Sequence, residues 1–75
     1  HGCVIGDHTF IAPGAVLNGD VTIGDNTFVG ANSVIKQGVV VGKNVIIGAG
    51  TVIIRDVPDG VTIVGNPGRI IKTQV

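Results

Sequence analysis

Few side chains in this 75-residue sequence can do chemistry. It has two histidines, His1 and His8, one cysteine, Cys3, five acidic residues that are all aspartate, and five cations, among them Arg69 and Lys72 near the C-terminal end. A positioned histidine is the usual mover of protons near neutral pH. Glycine-rich bends such as Gly30-Ala31 and Gly48-Ala49 can offer backbone N–H donors to a developing oxyanion. No Ser/His/Asp triad can be assembled, and neither a P-loop nor a Rossmann phosphate loop is present. From spacing alone His1 reads as a solvated loop residue and Arg69 and Lys72 as a solvated tail. What these residues can do depends on the elements that position them.

The positioning element is a six-residue repeat. Its clearest stretch is Ile23 to Val40, and the frame runs outward from there with an aliphatic residue first in each hexad: Ile5, Ile11, Leu17, Ile23, Val29, Ile35, Val41, Ile47 and Ile53. Fifth positions are mostly small or β-branched: Thr9, Ala15, Val21, Thr27, Ser33, Val39, Val45, Thr51 and Val57. Fourth positions hold His8, Gly14, Asp20, Asn26, Asn32, Gly38, Asn44, Gly50 and Asp56, types that enter the left-handed region at low cost. The chain is therefore expected to bend once per hexad. The two-residue period of extended chain puts the fifth and first positions inside. His8 is explained by its corner, and Cys3, on a fifth position, by inward packing as a small apolar residue.

A shift of eighteen residues aligns Gly6 with Gly24 and Gly42, Phe10 with Phe28, and Val16 with Val34 and Val52. Three hexads thus make one circuit of a triangular prism, an all-β parallel solenoid whose coils are 5–22, 23–40 and 41–58. Residues 59–75 break the frame at Pro58-Asp59-Gly60 and are read as a capping segment. It comprises a short strand Val61–Val64, the turn Gly65-Asn66-Pro67-Gly68 and an apolar pair Ile70-Ile71, and it is expected to fold back over the lower end of the prism. Sixth positions face outward yet are apolar, with Phe10, Phe28 and Ile46 in one column and Val16, Val34 and Val52 in another. Ridges of that size point to association of copies.

Composition excludes several roles. Five cations balance five acids, so there is no electrostatic footprint for nucleic acid and no polybasic patch for a membrane. No apolar run reaches the roughly 20 residues of a span, one cysteine rules out an internal disulfide, and a cytoplasmic setting is the expectation. The sequence opens in mid-hexad without an initiator methionine, which reads as the C-terminal piece of a longer protein.

The hexads, together with H-G-C-V-I-G-D at the start, I-A-P-G-A in the first coil and R-D-V-P-D-G-V-T-I-V-G-N-P-G-R-I-I-K at the end, resemble the hexapeptide-repeat acyltransferases. The resemblance is strongest to those of the sialic acid O-acetyltransferase and UDP-4-amino-sugar N-acetyltransferase type. It implies a left-handed β-helix that assembles as a homotrimer through the Phe and Val ridges, and an N-terminal nucleotide-sugar domain absent from this sequence. It also implies acetyl-CoA as donor, held in a groove between prisms, and an amino or hydroxyl group of a sugar as acceptor, with no metal. In those relatives the general base is a histidine followed by an acid and a cysteine. His1 with Cys3 fits that site, but Gly2 replaces the acid, and Phe10 stands where relatives carry a second histidine. Asp20, eighteen residues after Gly2, is the candidate for orienting His1. Gly19, Ala31 and Ala49 map onto residues lining the CoA arm, with Gly30 and Gly48 beside them, and Arg69 and Lys72 are candidates for its phosphates. Two other readings stand beside this one: a solenoid that only trimerises, and a zinc-dependent β-helical carbonic anhydrase, which needs three histidines where this sequence has two.

Overall fold

A computed structural model describes residues 2–74. The chain is a left-handed parallel β-helix of about three turns. Each hexad contributes one short strand built from its sixth and first positions. These are β1 (Val4–Ile5), β2 (Phe10–Ile11), β3 (Val16–Leu17), β4 (Thr22–Ile23), β5 (Phe28–Val29), β6 (Val34–Ile35), β7 (Val40–Val41), β8 (Ile46–Ile47) and β9 (Val52–Ile53). They stack as three walls, β1-β4-β7, β2-β5-β8 and β3-β6-β9, all parallel. The register pairs Val4 with Thr22, Phe10 with Phe28 and Val16 with Val34, so the eighteen-residue circuit is observed.

The bends fall where the fourth positions require them. His8, Asp20, Asn26, Asn32 and Asn44 all have φ between 55° and 60°, and Gly14, Gly38 and Gly50 share the left-handed region. Three edges result: residues 6–9, 24–27 and 42–45 on the first, 12–15, 30–33 and 48–51 on the second, and 18–21, 36–39 and 54–56 on the third. Between the edges the axis is dry. Ile23, Val29, Ile35, Val41, Ile47 and Ile53 are each at most 1 % exposed. Hydroxyls on the inner face bridge successive coils: Thr9 Oγ1 donates to the Gly24 carbonyl at 3.1 Å, Thr27 Oγ1 to Gly42 at 2.8 Å and Ser33 Oγ to Gly48 at 2.9 Å. Thr51 Oγ1 donates within its own coil, to the Gly48 carbonyl at 2.6 Å. Polar residues can thus occupy the core, because each buried side-chain donor among the described residues has an acceptor.

The frame slips inside the third coil. After Ile53 the circuit loses two residues, so that Val57 pairs with Val41, Thr62 with Ile46 and Ile63 with Ile47. Asp56, expected at a left-handed corner, is not among the residues of positive φ. Its carboxylate instead accepts the Val40 N–H at 2.9 Å, in place of the backbone carbonyl that Val39 offers to Thr22 one coil above. Asp59 Oδ1 accepts the Lys43 N–H at 2.8 Å, repeating the bond from Asp7 N–H to Asp25 Oδ1.

The segment beyond the slip also differs from expectation. Strand β10 (Val61–Val64) does not fold back; it lies parallel under β8 as a further rung, with Val61 and Ile63 buried. The reversal comes one turn later. The Gly65 carbonyl accepts the Val52 N–H and the Gly68 N–H donates to the Val52 carbonyl, which sets residues 65–68 beneath β9. The chain then returns as β11 (Arg69–Thr73), antiparallel to β10.

Candidate functional site

The residues singled out from the sequence are distributed over two edges and one wall. His1, the candidate base, lies outside the described residues. The positions after it begin the third edge, where Gly2 stands above Asp20 and Asp20 above Gly38. A Cβ on Gly2 would lie 2.5 Å from Asp20 Oδ1. The Asp20 carboxylate therefore fills the space that a side chain at position 2 would claim. Gly2, at φ 79°, accommodates both the left-handed bend and the carboxylate below it. Cys3 is partly buried against the core and its Sγ–H donates to the Asn18 carbonyl at 3.3 Å, as an inward-packed thiol should.

Gly19 lies on this same third edge, joined downward through the Gly38 N–H, which donates to its carbonyl at 2.9 Å. Gly30, Ala31, Gly48 and Ala49 form the second edge. There Ala31 sits directly above its counterpart, the Gly50 N–H donating to the Ala31 carbonyl at 2.8 Å. The structure thus brings Gly30, Ala31, Gly48 and Ala49 together and separates Gly19 from them within one chain. A groove lined by both sets needs the third edge of one copy against the second edge of another.

The second edge is bare for a steric reason. A Cβ on Gly30 would meet the Ala49 nitrogen at 2.6 Å and the Gly48 carbonyl carbon at 2.7 Å. Its glycines permit the close stacking of coils, so their presence is explained by packing as well as by any ligand. The Gly30 and Gly48 N–H groups are also committed, donating to the carbonyls of Ile47 at 2.8 Å and Ile63 at 3.0 Å. They cannot serve as oxyanion donors. The N–H groups of Gly19, Ala31 and Ala49 take no part in the ladder among the described residues.

Arg69 and Lys72 are exposed on β11. They lie opposite Val64 and Thr62, and Thr62 pairs with Ile46. Both cations therefore continue the outward face of the second wall, below the column of Phe10, Phe28 and Ile46. In that column the rings of Phe10 and Phe28 stack at 5.3 Å with an interplanar angle of 8°, and both are over 40 % exposed. Val16 and Val34, and Val34 and Val52, pair directly on the third wall.

Among the described residues no group of three or more His, Cys, Asp or Glu side chains converges on a point, and the single chain encloses no pocket. Among the described residues no helix is long and apolar enough to cross a membrane.

Comparison with known proteins places this geometry. A family model described as the hexapeptide repeat of succinyl-transferase matches residues 20–55. Among curated protein sequences none matches significantly. Solved structures are similar over almost the whole chain. The acetyltransferase domain of PglB from Neisseria gonorrhoeae, in complex with acetyl coenzyme A, is 39 % identical over 95 % of this chain and 35 % of its own, with a TM-score of 0.94. PerB from Caulobacter crescentus, in complex with CoA and GDP-perosamine, is 36 % identical over 96 % of this chain and 35 % of its own, with a TM-score of 0.94. WeeI from Acinetobacter baumannii is 46 % identical over 95 % and 36 %, with a TM-score of 0.90. The chain spans about a third of the length of these relatives.

Proposed function

We propose that this chain, a member of the hexapeptide-repeat acyltransferase family, is the β-helical part of an acetyltransferase that moves an acetyl group from acetyl-CoA to an amino or hydroxyl group of a sugar. The observation that carries the reading is the match of this prism, over nearly its full length, to an acetyltransferase domain holding acetyl coenzyme A. The groove would lie between copies, one supplying Gly19 on its third edge and the other Gly30, Ala31, Gly48 and Ala49 on its second, with His1 as the base. That arrangement agrees with the described residues of a single chain enclosing no pocket. It also calls for a homotrimer, and we place its contacts on the Phe10, Phe28 and Ile46 column and the Val16, Val34 and Val52 column. A cytoplasmic setting goes with the donor.

In the reaction the acceptor nitrogen or oxygen attacks the thioester carbonyl. His1 takes the proton of the attacking group as the tetrahedral intermediate forms. The Gly19 N–H, on the edge that Gly2 begins and uncommitted to the ladder among the described residues, is the donor we assign to the oxyanion. Collapse breaks the carbon–sulfur bond, and the proton held by His1 passes to the departing CoA thiolate. Asp20, whose carboxylate stands beside residue 2, supplies the orienting acid that Gly2 lacks. Arg69 and Lys72, on the second wall, are candidates for the CoA phosphates.

A ligand bound only by the native state must stabilise it, so acetyl-CoA should raise the Tm of the chain. A Tm unmoved at millimolar acetyl-CoA would favour a solenoid that only trimerises. That second reading draws on the two departures at Gly2 and Phe10. In the intact enzyme His1→Ala should lower kcat by about 10² or more at nearly unchanged acetyl-CoA affinity. Survival of kcat within about threefold would remove His1 as the base.

A further inference from the structure

The sequence holds five asparagines, and the hexad treats one of them differently. Asn26, Asn32 and Asn44 stand at left-handed corners with φ between 55° and 60°. Each is followed by an inward fifth position, Thr27, Ser33 or Val45, at most 1 % exposed. Asn66 precedes Pro67, whose nitrogen carries no proton. Asn18 alone lies off the corners on a second position, exposed and followed by a glycine, Gly19.

The side-chain carbon of an asparagine is open to attack by the nitrogen of the next residue when that N–H has no other partner and the backbone can fold onto the side chain. Both conditions hold at Asn18. The Gly19 N–H takes no part in the ladder among the described residues, and glycine brings no Cβ into the ring being closed. At the corners the conditions fail. The Ser33 N–H donates to the Gly30 carbonyl and the Val45 N–H to Thr27 Oγ1, each at 3.3 Å. Closing a ring there would also draw the backbone of a buried side chain off the axis. Asp59-Gly60 is the one Asp-Gly pair and could form the same ring, but it is tied twice to the coil above. The Gly60 N–H donates to the Lys43 carbonyl and Asp59 Oδ1 accepts the Lys43 N–H, both at 2.8 Å.

Asn18 has one restraint of its own. Its Nδ2 donates to the Ile35 carbonyl at 2.9 Å, and its N–H reaches the same oxygen at 3.1 Å. A single neutral bond at an exposed residue opens readily, so it slows the attack without preventing it.

We propose that Asn18-Gly19 is a self-modification site of the folded protein, at which the Gly19 nitrogen attacks Asn18 Cγ and the asparagine becomes aspartate or isoaspartate. The bond from Gly19 nitrogen to Cγ forms as the Cγ–Nδ2 bond breaks, and the Gly19 amide proton leaves with Nδ2 as ammonia. Water then opens the cyclic imide. Addition at Cγ restores the backbone and leaves aspartate; addition at the main-chain carbonyl leaves isoaspartate, with the backbone routed through Cγ. Water is the only co-reactant, and nothing is oxidised or reduced.

Either product unties the first coil from the second at this edge. A carboxylate oxygen replaces the Nδ2 donor that faces the Ile35 carbonyl, and isoaspartate also lengthens the chain just ahead of Gly19. Where the acyltransferase reading holds, this displaces the N–H assigned to the oxyanion. The modification itself does not depend on that reading.

The test incubates the folded 75-residue chain at mildly alkaline pH in water enriched in heavy oxygen, maps the label by peptide mass spectrometry, and counts isoaspartate with an isoaspartyl methyltransferase. Asn18 should take up label at least about tenfold faster than Asn26, Asn32 or Asn44, because only its successor lacks a side chain. Isoaspartate should be found at Asn18 well before Asp59. Gly19→Ala should slow the reaction at Asn18 by about tenfold or more, since a Cβ then crowds the ring. Should that variant fail to fold, the comparison among asparagines within the parent chain decides alone. Asn18→Asp, which carries the product side chain, should melt several degrees below the parent in calorimetry. Label spread evenly over Asn18, Asn26, Asn32 and Asn44, or appearing at Asn18 only after unfolding in denaturant, overturns the proposal. So does isoaspartate arising at Asp59 as fast as at Asn18. An Asn18→Asp chain that melts with the parent overturns the untying of the coils.

Discussion

Asn26 shows how one residue type sets the cross-section of the molecule. It stands at φ 56° with its N–H donating to the Asp7 carbonyl at 2.9 Å, so the same residue makes the bend and ties two coils together. Asn26→Val should cost about 1–2 kcal/mol, because a β-branched side chain is disfavoured at positive φ. Asn26→Gly should be near neutral. Equal losses in denaturant titrations would mean that the corner imposes no backbone demand. At this scale the sequence was readable wherever a residue answers to its own backbone. Asp20 stands one coil below Gly2, as the eighteen-residue circuit requires, and its carboxylate fills the space beside residue 2. The committed state of the Gly30 and Gly48 N–H groups was not readable, because a hydrogen-bond partner one coil away depends on how the coils stack and not on residue type. The same holds for the separation of Gly19 from Ala31 and Ala49, which depends on which edge each bend occupies.

Among the elements, the nine short strands β1 to β9 follow from the hexad because each has only to place one aliphatic residue on the axis, and the register repeats without adjustment as far as Ile53. The slip after Ile53 breaks this simplicity. Pro58-Asp59-Gly60 has the composition of a terminating turn, and a frame two residues out of phase hides the inward positions Val57, Val61 and Ile63. The structure uses that turn to resume the helix: Asp59 takes the role of Asp25, and β10 adds a rung before β11 turns back. Asp56 makes the shortened circuit tolerable by giving the Val40 N–H an acceptor. Asp56→Ala removes that acceptor and should cost about 0.5–1.5 kcal/mol, the site being open enough for water to substitute in part. For a domain of this size such a loss lowers Tm by several degrees, which calorimetry resolves. Asp56→Asn, which keeps an oxygen acceptor, should recover most of it. If alanine and asparagine behave alike, the carboxylate bond contributes nothing and the slip is held by packing alone.

For the molecule as a whole, the unresolved tension is between a dry axis and a greasy exterior. Val4, Phe10, Val16, Phe28, Val40 and Ile46 are each between 42 % and 61 % exposed, and they lie in columns along the walls where a single chain would want polar side chains. The stacked Phe10 and Phe28 rings, followed downward by Ile46, Thr62 and then Lys72, give the second wall an apolar upper part and a polar lower part. Such a face suits a contact between prisms that is dry near its top and solvated at its base. The same contact is what the proposed acyl-donor groove requires, since within one chain Gly19 is separated from the Gly30, Ala31, Gly48 and Ala49 set. Phe28→Asp places a charge in each copy of that contact, with no cation on the outward face of β5, and should cost several kcal/mol per site on association. Within one prism the substitution changes an outward position and leaves the axis residue Val29 untouched, so the fold itself should survive. Light scattering should then report monomers or ill-defined aggregates in place of trimers, with the circular-dichroism spectrum of the β-helix retained and acetyl-CoA binding lost along with the groove. A variant that remains trimeric and still binds acetyl-CoA would move the contact off this wall.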